Sequence, residues 1–519
     1  MRRLPRCRQS QGGGGMYVYR RGRRYPGGKE CAMRILLVKP HTELLVARRL
    51  EEGFLRLEPL GLEIVAGAVG PEDDVRILDL GLYKAPLAEY ERTLSVYRPD
   101  MVGFSGYSSM ARVIRQLALR SKQMLPSAVT IVGGIHATIA PGDYAGSSLD
   151  IVVRGEGSVA LKEIISRYKH NRLLADGSRC LSPAGPDFAR QAESPLPAYP
   201  EPRLIARPRR DLIERSRYFC VWTTSERGRL DTLFPRVASM RTSLGCAFRC
   251  SFCVIHQVMG GKYLQRDPED VVEEIAGIEE EHIYFVDDEM FLNIPRVTRI
   301  AQLLKERGIR KHYISWARSD TIARHPEAFR LWREVGLDVV YVGLESVDES
   351  RLVEYDKRTS LAANRRAVEI LKEEGIMLHA AYIVHPDFTA DDFRRLEAQI
   401  RRISPAEITF TVLSPSPGTR FWQDNRNRFI CDPYRFYDCM HTVLPTQLPL
   451  RRFYRHFGRL TSLALRANPL RMNRIRVPFG DFLRAVTGGT KYIASLYSIY
   501  KDYRGVVADE RIYRSGWEQ

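Results

Sequence analysis

From Met33 onward the chain alternates short apolar runs with longer amphipathic stretches. The first runs are RILLVKP (34–40), DVRILDL (74–80), DMVGFSG (100–106), VTIVGG (129–134) and DIVVRGEG (150–157). Runs apolar on both faces and separated by helix-sized segments predict a parallel sheet covered on both sides. Such a doubly wound domain binds ligands beyond the carboxyl ends of its strands. Those ends carry Ser105 and Ser108 after the third run, Gly133, Gly134, His136 and Thr138 after the fourth, and Gly155, Glu156 and Gly157 after the fifth. Glycine admits a close backbone approach to a bulky ligand, and hydroxyls and amides face it; taken singly, each glycine serves a turn equally well.

Residues 166–235 are Pro- and Arg-containing and weakly periodic, and read as a linker. A second series follows: RVASMRTS (236–243), HIYFVDD (282–288), YISWARSD (313–320), VVYVGLES (339–346), LHAAYIV (378–384) and ITFTVLS (408–414). Strands alternating with helices over 236–446 predict a partial (β/α)6 barrel with its chemistry at the strand carboxyl ends. Polar residues stand there in succession: Asp287 and Asp288, Arg318 and Asp320, Glu345 and Ser346. The fold class is therefore α/β, two domains followed by a helical region over 447–519.

Charge modifies this at both ends. Residues 1–32 inflate the net +18, because nine Lys/Arg there face one Glu in a Gly-rich, aperiodic stretch expected to be disordered, with Met33 the natural start. Between Arg451 and Arg504 twelve Lys/Arg and two Asp are interleaved with aromatic residues. Such a tail is a solvated helix face or a peripheral contact with anionic lipid; no RNA-binding motif accompanies it, so no nucleic-acid partner is expected. No apolar run is long enough to span a bilayer, and the nine cysteines do not form a disulfide framework. A cytoplasmic enzyme, peripheral at most to the membrane, is expected.

Three of those cysteines carry the candidate chemistry. Cys246, Cys250 and Cys253, in RTSLGCAFRCSFCVIH, place three soft thiolates four and three residues apart on one loop. Thiolates select iron–sulfur clusters or zinc, and a four-iron cluster with three protein ligands leaves one iron open. With His256 as fourth ligand the same loop could hold structural zinc, although a second zinc knuckle is missing from the sequence.

The C-x3-C-x2-C spacing, with Phe252 before the third cysteine, resembles the signature loop of the radical S-adenosylmethionine (SAM) enzymes. VGFSGYSS, VGGIHAT and VVRGEGS resemble the cobalamin-binding domain that precedes the radical domain in one subclass. The resemblance implies a 4Fe–4S cluster on Cys246, Cys250 and Cys253, with Phe252 against adenine. It implies SAM contacts from Asp287 and Asp288 (ammonium), Arg318 (carboxylate), and Asp320, Glu345 and Ser346 (ribose side). It further implies cobalamin at Ser105, Ser108, Gly133, Gly134, His136, Thr138 and Glu156. The D-x-H-x-x-G motif is absent, so His136 is expected to be a loop residue beside the corrin and not a cobalt ligand. The strings FLRLEPLGLE, FRCSFCVI, YFVDDEMF, ARSDTIARHPE, YIVHPDF, TVLSPSPGT and HTVLPTQLPLRRFY are similar to the hopanoid C-3 methylases. That implies radical methylation of an unactivated carbon from methylcobalamin, a triterpenoid substrate, and a reductant such as flavodoxin or ferredoxin. The alternatives are a cobalamin-dependent radical enzyme that does not methylate, of the tetrapyrrole ring-cyclase type, and a metal-bearing nucleic-acid-binding protein.

Overall fold

The computed structural model describes residues 32–224, 228–229, 231–467 and 475–506. The basic N-terminal extension, apart from Ala32, lies outside them, as do Arg471 and Arg474 of the tail.

All five N-terminal runs form strands of one sheet, in the order Asp74–Asp79, Arg34–Lys39, Met101–Ser105, Val129–Gly133, Ile151–Val153. They are mutually parallel, and the order reverses between the 34–39 and 101–105 strands. That reversal opens a crevice at their carboxyl ends. The two faces are packed separately, one around Leu36, Val102 and Val132 and the other around Ile35, Met101 and Ile131, which is why the runs are apolar without alternation. The stretch read as a linker does more than connect: Cys180–Leu181 joins the sheet as a sixth, antiparallel strand. Two residues are too short for a periodic signal.

The six runs of the second series also all form strands, parallel and in chain order: Val237–Met240, His282–Phe285, His312–Ala317, Leu337–Glu345, Met377–Val384 and Glu407–Val412. This is the expected half-barrel. Alternation divides the strand residues between its two faces. Ala238, Ile283, Phe285, Tyr313, Val340, Val342, Ala380, Phe410 and Val412 point outward into the main core beneath the helices. Val237, Tyr284, Ile314 and Val339 point into the lumen, where Cys220 and Trp222 of the connecting segment close its lower end.

The C-terminal region is helical, with Leu450–Ala467 and Phe479–Ser498. Its aromatic residues correct the picture of a peripheral tail. Phe453, Tyr454 and Phe457 are buried in the main core, and Tyr454 and Tyr503 share a hydrogen bond of 2.7 Å between hydroxyls. Apolar residues at i, i+3, i+4 and i+7 read alike whether they face a core or a lipid. Exposed apolar residues occur instead on the second helix at Phe479, Phe482, Leu483 and Val486, and Phe479 is 78% exposed.

Candidate active site

The three cysteines lie on the loop between the first barrel strand and the short helix Ile255–Met259. Gly245, just before Cys246, adopts φ +86°, and a side chain there would collide with the Lys262 carbonyl, so glycine is required for the chain to turn into the loop. The loop is anchored at Ser251, whose N–H donates to the Tyr355 carbonyl (2.9 Å) and whose carbonyl accepts from Phe421 N–H (3.0 Å). The Phe252 ring meets Tyr355 edge-on at 5.6 Å and packs with Ile383 and Leu413. Burial pushes the Cys246 thiol up to about 11 and the Cys253 thiol to about 12, so both thiols stay protonated until metal claims them. Among the described residues no three His, Cys, Asp or Glu side chains converge as ligands of one ion.

Asp287 is not directed at a cofactor. It is buried and accepts from both the N–H and the hydroxyl of Thr242 and of Ser243, at 2.6–3.1 Å. It therefore fixes the backbone leading into the cysteine loop. Asp288 accepts from Gly245 N–H (2.9 Å), and burial raises its carboxyl. The residue after this pair, absent from the sequence-derived site, has the chemistry a cofactor ammonium needs. Glu289 is 2% exposed, its Oε1 has no hydrogen-bond partner, and burial pushes its carboxyl up to about 8 against the pull of Arg318 and Lys357. An orphaned buried carboxylate oxygen is costly unless a partner arrives. Only its position as a third carboxylate in VDDE could have signalled it.

Arg318 and Asp320 pair with each other, Nε to Oδ1 at 2.9 Å, instead of addressing separate ligand groups. The guanidinium also donates to the carbonyls of Lys357 and Arg358 and stacks 3.6 Å over Phe248, inside the cysteine loop. Glu345 stands at φ +61° and binds Lys357 Nζ at 2.6 Å. Such strain in a non-glycine residue at a strand end is characteristic of functional sites. Ser346 Oγ accepts from Asp348 N–H at 3.0 Å. Glu289, Phe248 and Lys357 were not legible in sequence because their roles depend on which strand ends become neighbours.

At the first sheet the residues divide. Ser105, Gly106 and Ser108 follow a strand that borders the strand-order reversal, Gly134 follows that strand's other neighbour, and Tyr107 between them is 61% exposed. Gly134 has φ +95°, and a Cβ there would press on Ser105 Oγ, so the crevice depends on that glycine. Small residues and an exposed ring at a switch point fit a large planar ligand such as cobalamin. Thr138 and Glu156 are committed elsewhere. Thr138 Oγ1 donates to the Gly134 carbonyl (2.8 Å) and accepts from Gly155 N–H (3.0 Å). Glu156 caps the helix Gly157–Lys169 by accepting from the N–H groups of Ser158 and Val159. His136 lies in the short helix Ile135–Ile139, not in a loop, and is fully buried. Its Nδ1 is 3.1 Å from Ser108 Oγ, its Nε2 is 3.2 Å from Asp143, and Tyr434 of the barrel side packs on its ring at 5.1 Å.

Comparison with known proteins agrees with both halves. The description of the B12 binding domain matches residues 53–165, and that of the radical SAM superfamily matches residues 240–400. The chain is 32% identical over 407 residues to the hopanoid C-3 methylase of Methylococcus capsulatus, covering 77% of this chain and 75% of that one. It is 25% identical over 343 residues to the anaerobic magnesium-protoporphyrin IX monomethyl ester cyclase of Rubrivivax gelatinosus, covering 64% of this chain and 59% of that one. In fold it is similar to the radical SAM methyltransferase TsrM of Kitasatospora setae, with TM-score 0.61 at 16% identity over 92% of this chain and all of that one. The two sheets, their crevice and the cysteine loop are thus those of a known architecture, and the chain belongs to the B12-binding radical SAM methyltransferase family, a cobalamin-dependent enzyme whose cofactors are a 4Fe–4S cluster, SAM and cobalamin.

Proposed function

We propose that this methyltransferase places a methyl group on an unactivated ring carbon of a pentacyclic triterpenoid, at C-3 of a hopanoid. The observation that carries this is the 32% identity to a hopanoid C-3 methylase over three quarters of both chains. The bound cofactors together supply a hydrogen-abstracting radical and a methyl donor, which a saturated carbon without lone pair or acidic proton requires. The chain's own residues have distinct tasks. Cys246, Cys250 and Cys253 hold the cluster. Glu289 receives the SAM ammonium, and the Arg318–Asp320 and Glu345–Lys357 pairs set the polar wall around it. The crevice at Ser105, Ser108, Gly133 and Gly134 takes the corrin, and His136, Thr138 and Glu156 hold the backbone that shapes it. A low-potential donor of the flavodoxin or ferredoxin kind supplies electrons. The site lies within residues 33–165 and 236–446, with 166–235 joining them.

Lipid mass spectrometry of a host that makes unmethylated hopanoids tests the reading. Expression of this chain should add a product heavier by one methylene unit, with the methyl on the A ring. An unsaturated or cyclised tetrapyrrole without mass gain of that kind would favour the cyclase alternative.

A further inference from the structure

The cysteine loop has two sides of different chemistry. Phe248 turns inward, under the Arg318 guanidinium at 3.6 Å, where the strand ends gather. Ala247 and Arg249, on either side of it in the chain, are exposed. Cys246, Cys250 and Cys253 are half-buried between these two sides, so little more than the loop's own backbone separates the cluster position from solvent.

Cations gather on the outer side from three elements. Arg249 belongs to the loop itself. Gly245 pairs with Tyr263 in a short antiparallel ladder, which brings the exposed Lys262 beside the start of the loop. The bond from Phe421 N–H to the Ser251 carbonyl ties the helix Arg420–Asn425 to the loop, and the exposed Arg426 and Arg428 follow that helix directly. Carboxylates of the adjoining segments are answered within the chain. Arg351 takes Glu354 at 2.7 Å and Asp387 at 2.6 Å, Arg358 takes Asp356 at 3.2 Å, and Arg420 lies 3.9 Å from Asp424. Arg249, Lys262, Arg426 and Arg428 make no ion pair among the described residues. Arg428 donates to the neutral Asn425 Oδ1 at 2.9 Å, and Arg426 lies 5.7 Å from the Trp422 ring centre, so both keep their charge. Exposed charge of this kind adds little to stability, since even a surface pair contributes only about 0–1 kcal/mol. It acts at a distance on an oppositely charged partner, whose association it speeds by roughly 10–1000-fold at low salt.

We propose that this cationic rim around Ala247 is the docking surface for an acidic one-electron carrier protein, which passes its electron to the cluster across the loop. One electron leaves the carrier's reduced flavin or iron–sulfur group and enters the oxidised cluster, and no atom passes between the proteins. Docking therefore has only to bring the two centres close. Electron-transfer encounters bury under about 1,200 Å² and separate readily, which suits a rim of exposed charges. The carrier rests on the reading above that such a donor supplies electrons, while the surface rests on exposure and charge.

The test mixes the reconstituted enzyme anaerobically with flavodoxin hydroquinone and follows the electron paramagnetic resonance signal of the reduced cluster in freeze-quenched samples. Photoreduced 5-deazariboflavin serves as an uncharged small reductant. Combined Lys262→Glu, Arg426→Glu and Arg428→Glu should slow reduction by flavodoxin about tenfold or more at low salt, with the gap closing as salt rises. Reduction by deazariboflavin should be unchanged, and Arg426→Lys with Arg428→Lys should keep the wild-type rate with flavodoxin. In the wild-type enzyme, carbodiimide should cross-link flavodoxin carboxylates to Lys262, as mapped by peptide mass spectrometry. Equal slowing with both reductants, a flavodoxin rate indifferent to the charge reversals, or cross-links that leave out Lys262 would overturn the docking surface. If those reversals instead abolished binding to anionic vesicles at an unchanged flavodoxin rate, the rim would serve lipid. A wild-type cluster that deazariboflavin reduces and flavodoxin does not would overturn the carrier reading itself.

Discussion

Glu289 shows how much a single residue's chemistry depends on its surroundings. Its carboxyl, ordinarily near 4.5, titrates near 8 because burial outweighs Arg318 and Lys357. In the cofactor-free protein this group favours folding fully below about 4.5, and that contribution is lost as pH rises through about 8. Binding of a cationic ammonium requires the ionised form. SAM affinity of the cluster-loaded enzyme should therefore rise with pH below 8, by up to about tenfold per unit. Equilibrium binding between pH 6 and 9 checks this, and Glu289→Gln should bind more weakly and without the slope. Cys246, Cys250 and Cys253 share one loop, whereas Cys180, Cys220 and Cys431 are buried apart from one another in the cores and Cys439 stands by itself. Alanine at any of the first three should abolish the cluster's absorption and all SAM cleavage, and alanine at the others should spare both. His136 is fixed by Ser108 and Asp143, so the cobalt(II) electron paramagnetic resonance spectrum should lack nitrogen splitting in wild type and be unchanged in His136→Gln. Splitting that disappears in the variant would make His136 a ligand after all.

Between elements, buried charge does the joining. Glu58 and Glu63 of the first domain meet Arg210 and Arg215 of the connecting segment, which reach Glu274 and Glu280 of the barrel. Glu58 also accepts from Ser239 N–H in the first barrel strand, at 2.7 Å. Burial raises the Glu63 carboxyl, and the neighbouring Glu58 raises it further. Removing one cation from such a cluster leaves carboxylates buried and unpaired. Arg210→Ala should cost about 3–5 kcal/mol, read as a lower urea midpoint. The segment 166–235 looked like a linker because its order comes from these ion pairs, from scattered buried residues such as Phe188 and Trp222, and from two-residue strands, none of which has a period. Glu156 and Thr138 were placed at the ligand for a related reason. A polar side chain after a strand reads the same whether it caps the next helix or touches a cofactor.

For the whole molecule, among the described residues no helix is long and apolar enough to cross a membrane. The exposed Phe479, Phe482, Leu483 and Val486 are where contact with anionic lipid is predicted, because Phe453, Tyr454 and Phe457 of the preceding helix are committed to the core. Serine at Phe479, Phe482 and Leu483 together should reduce co-sedimentation with anionic vesicles without lowering the thermal midpoint. Combined neutralisation of Arg451, Arg452, Arg455 and Arg459 should reduce it in a salt-dependent way. Residues 1–32 precede the first strand, and a chain starting at Met33 should still bind cobalamin.

The sequence by itself determined both sheets, strand for strand apart from Cys180–Leu181, because unbroken apolar runs between helices permit one local answer. Three cysteines at fixed spacing also marked the candidate cluster loop, whose path is held by the distant Tyr355 and Phe421. What only the tertiary structure decided was the use of each polar group beyond that loop. Asp287 was taken up by Thr242 and Ser243, Arg318 by Asp320 and two carbonyls, and one oxygen of Glu289, Oε1, was left open. Those outcomes depend on which strand ends become neighbours. Separations of tens of residues, such as the 39 between Arg318 and Lys357, leave no mark on local pattern.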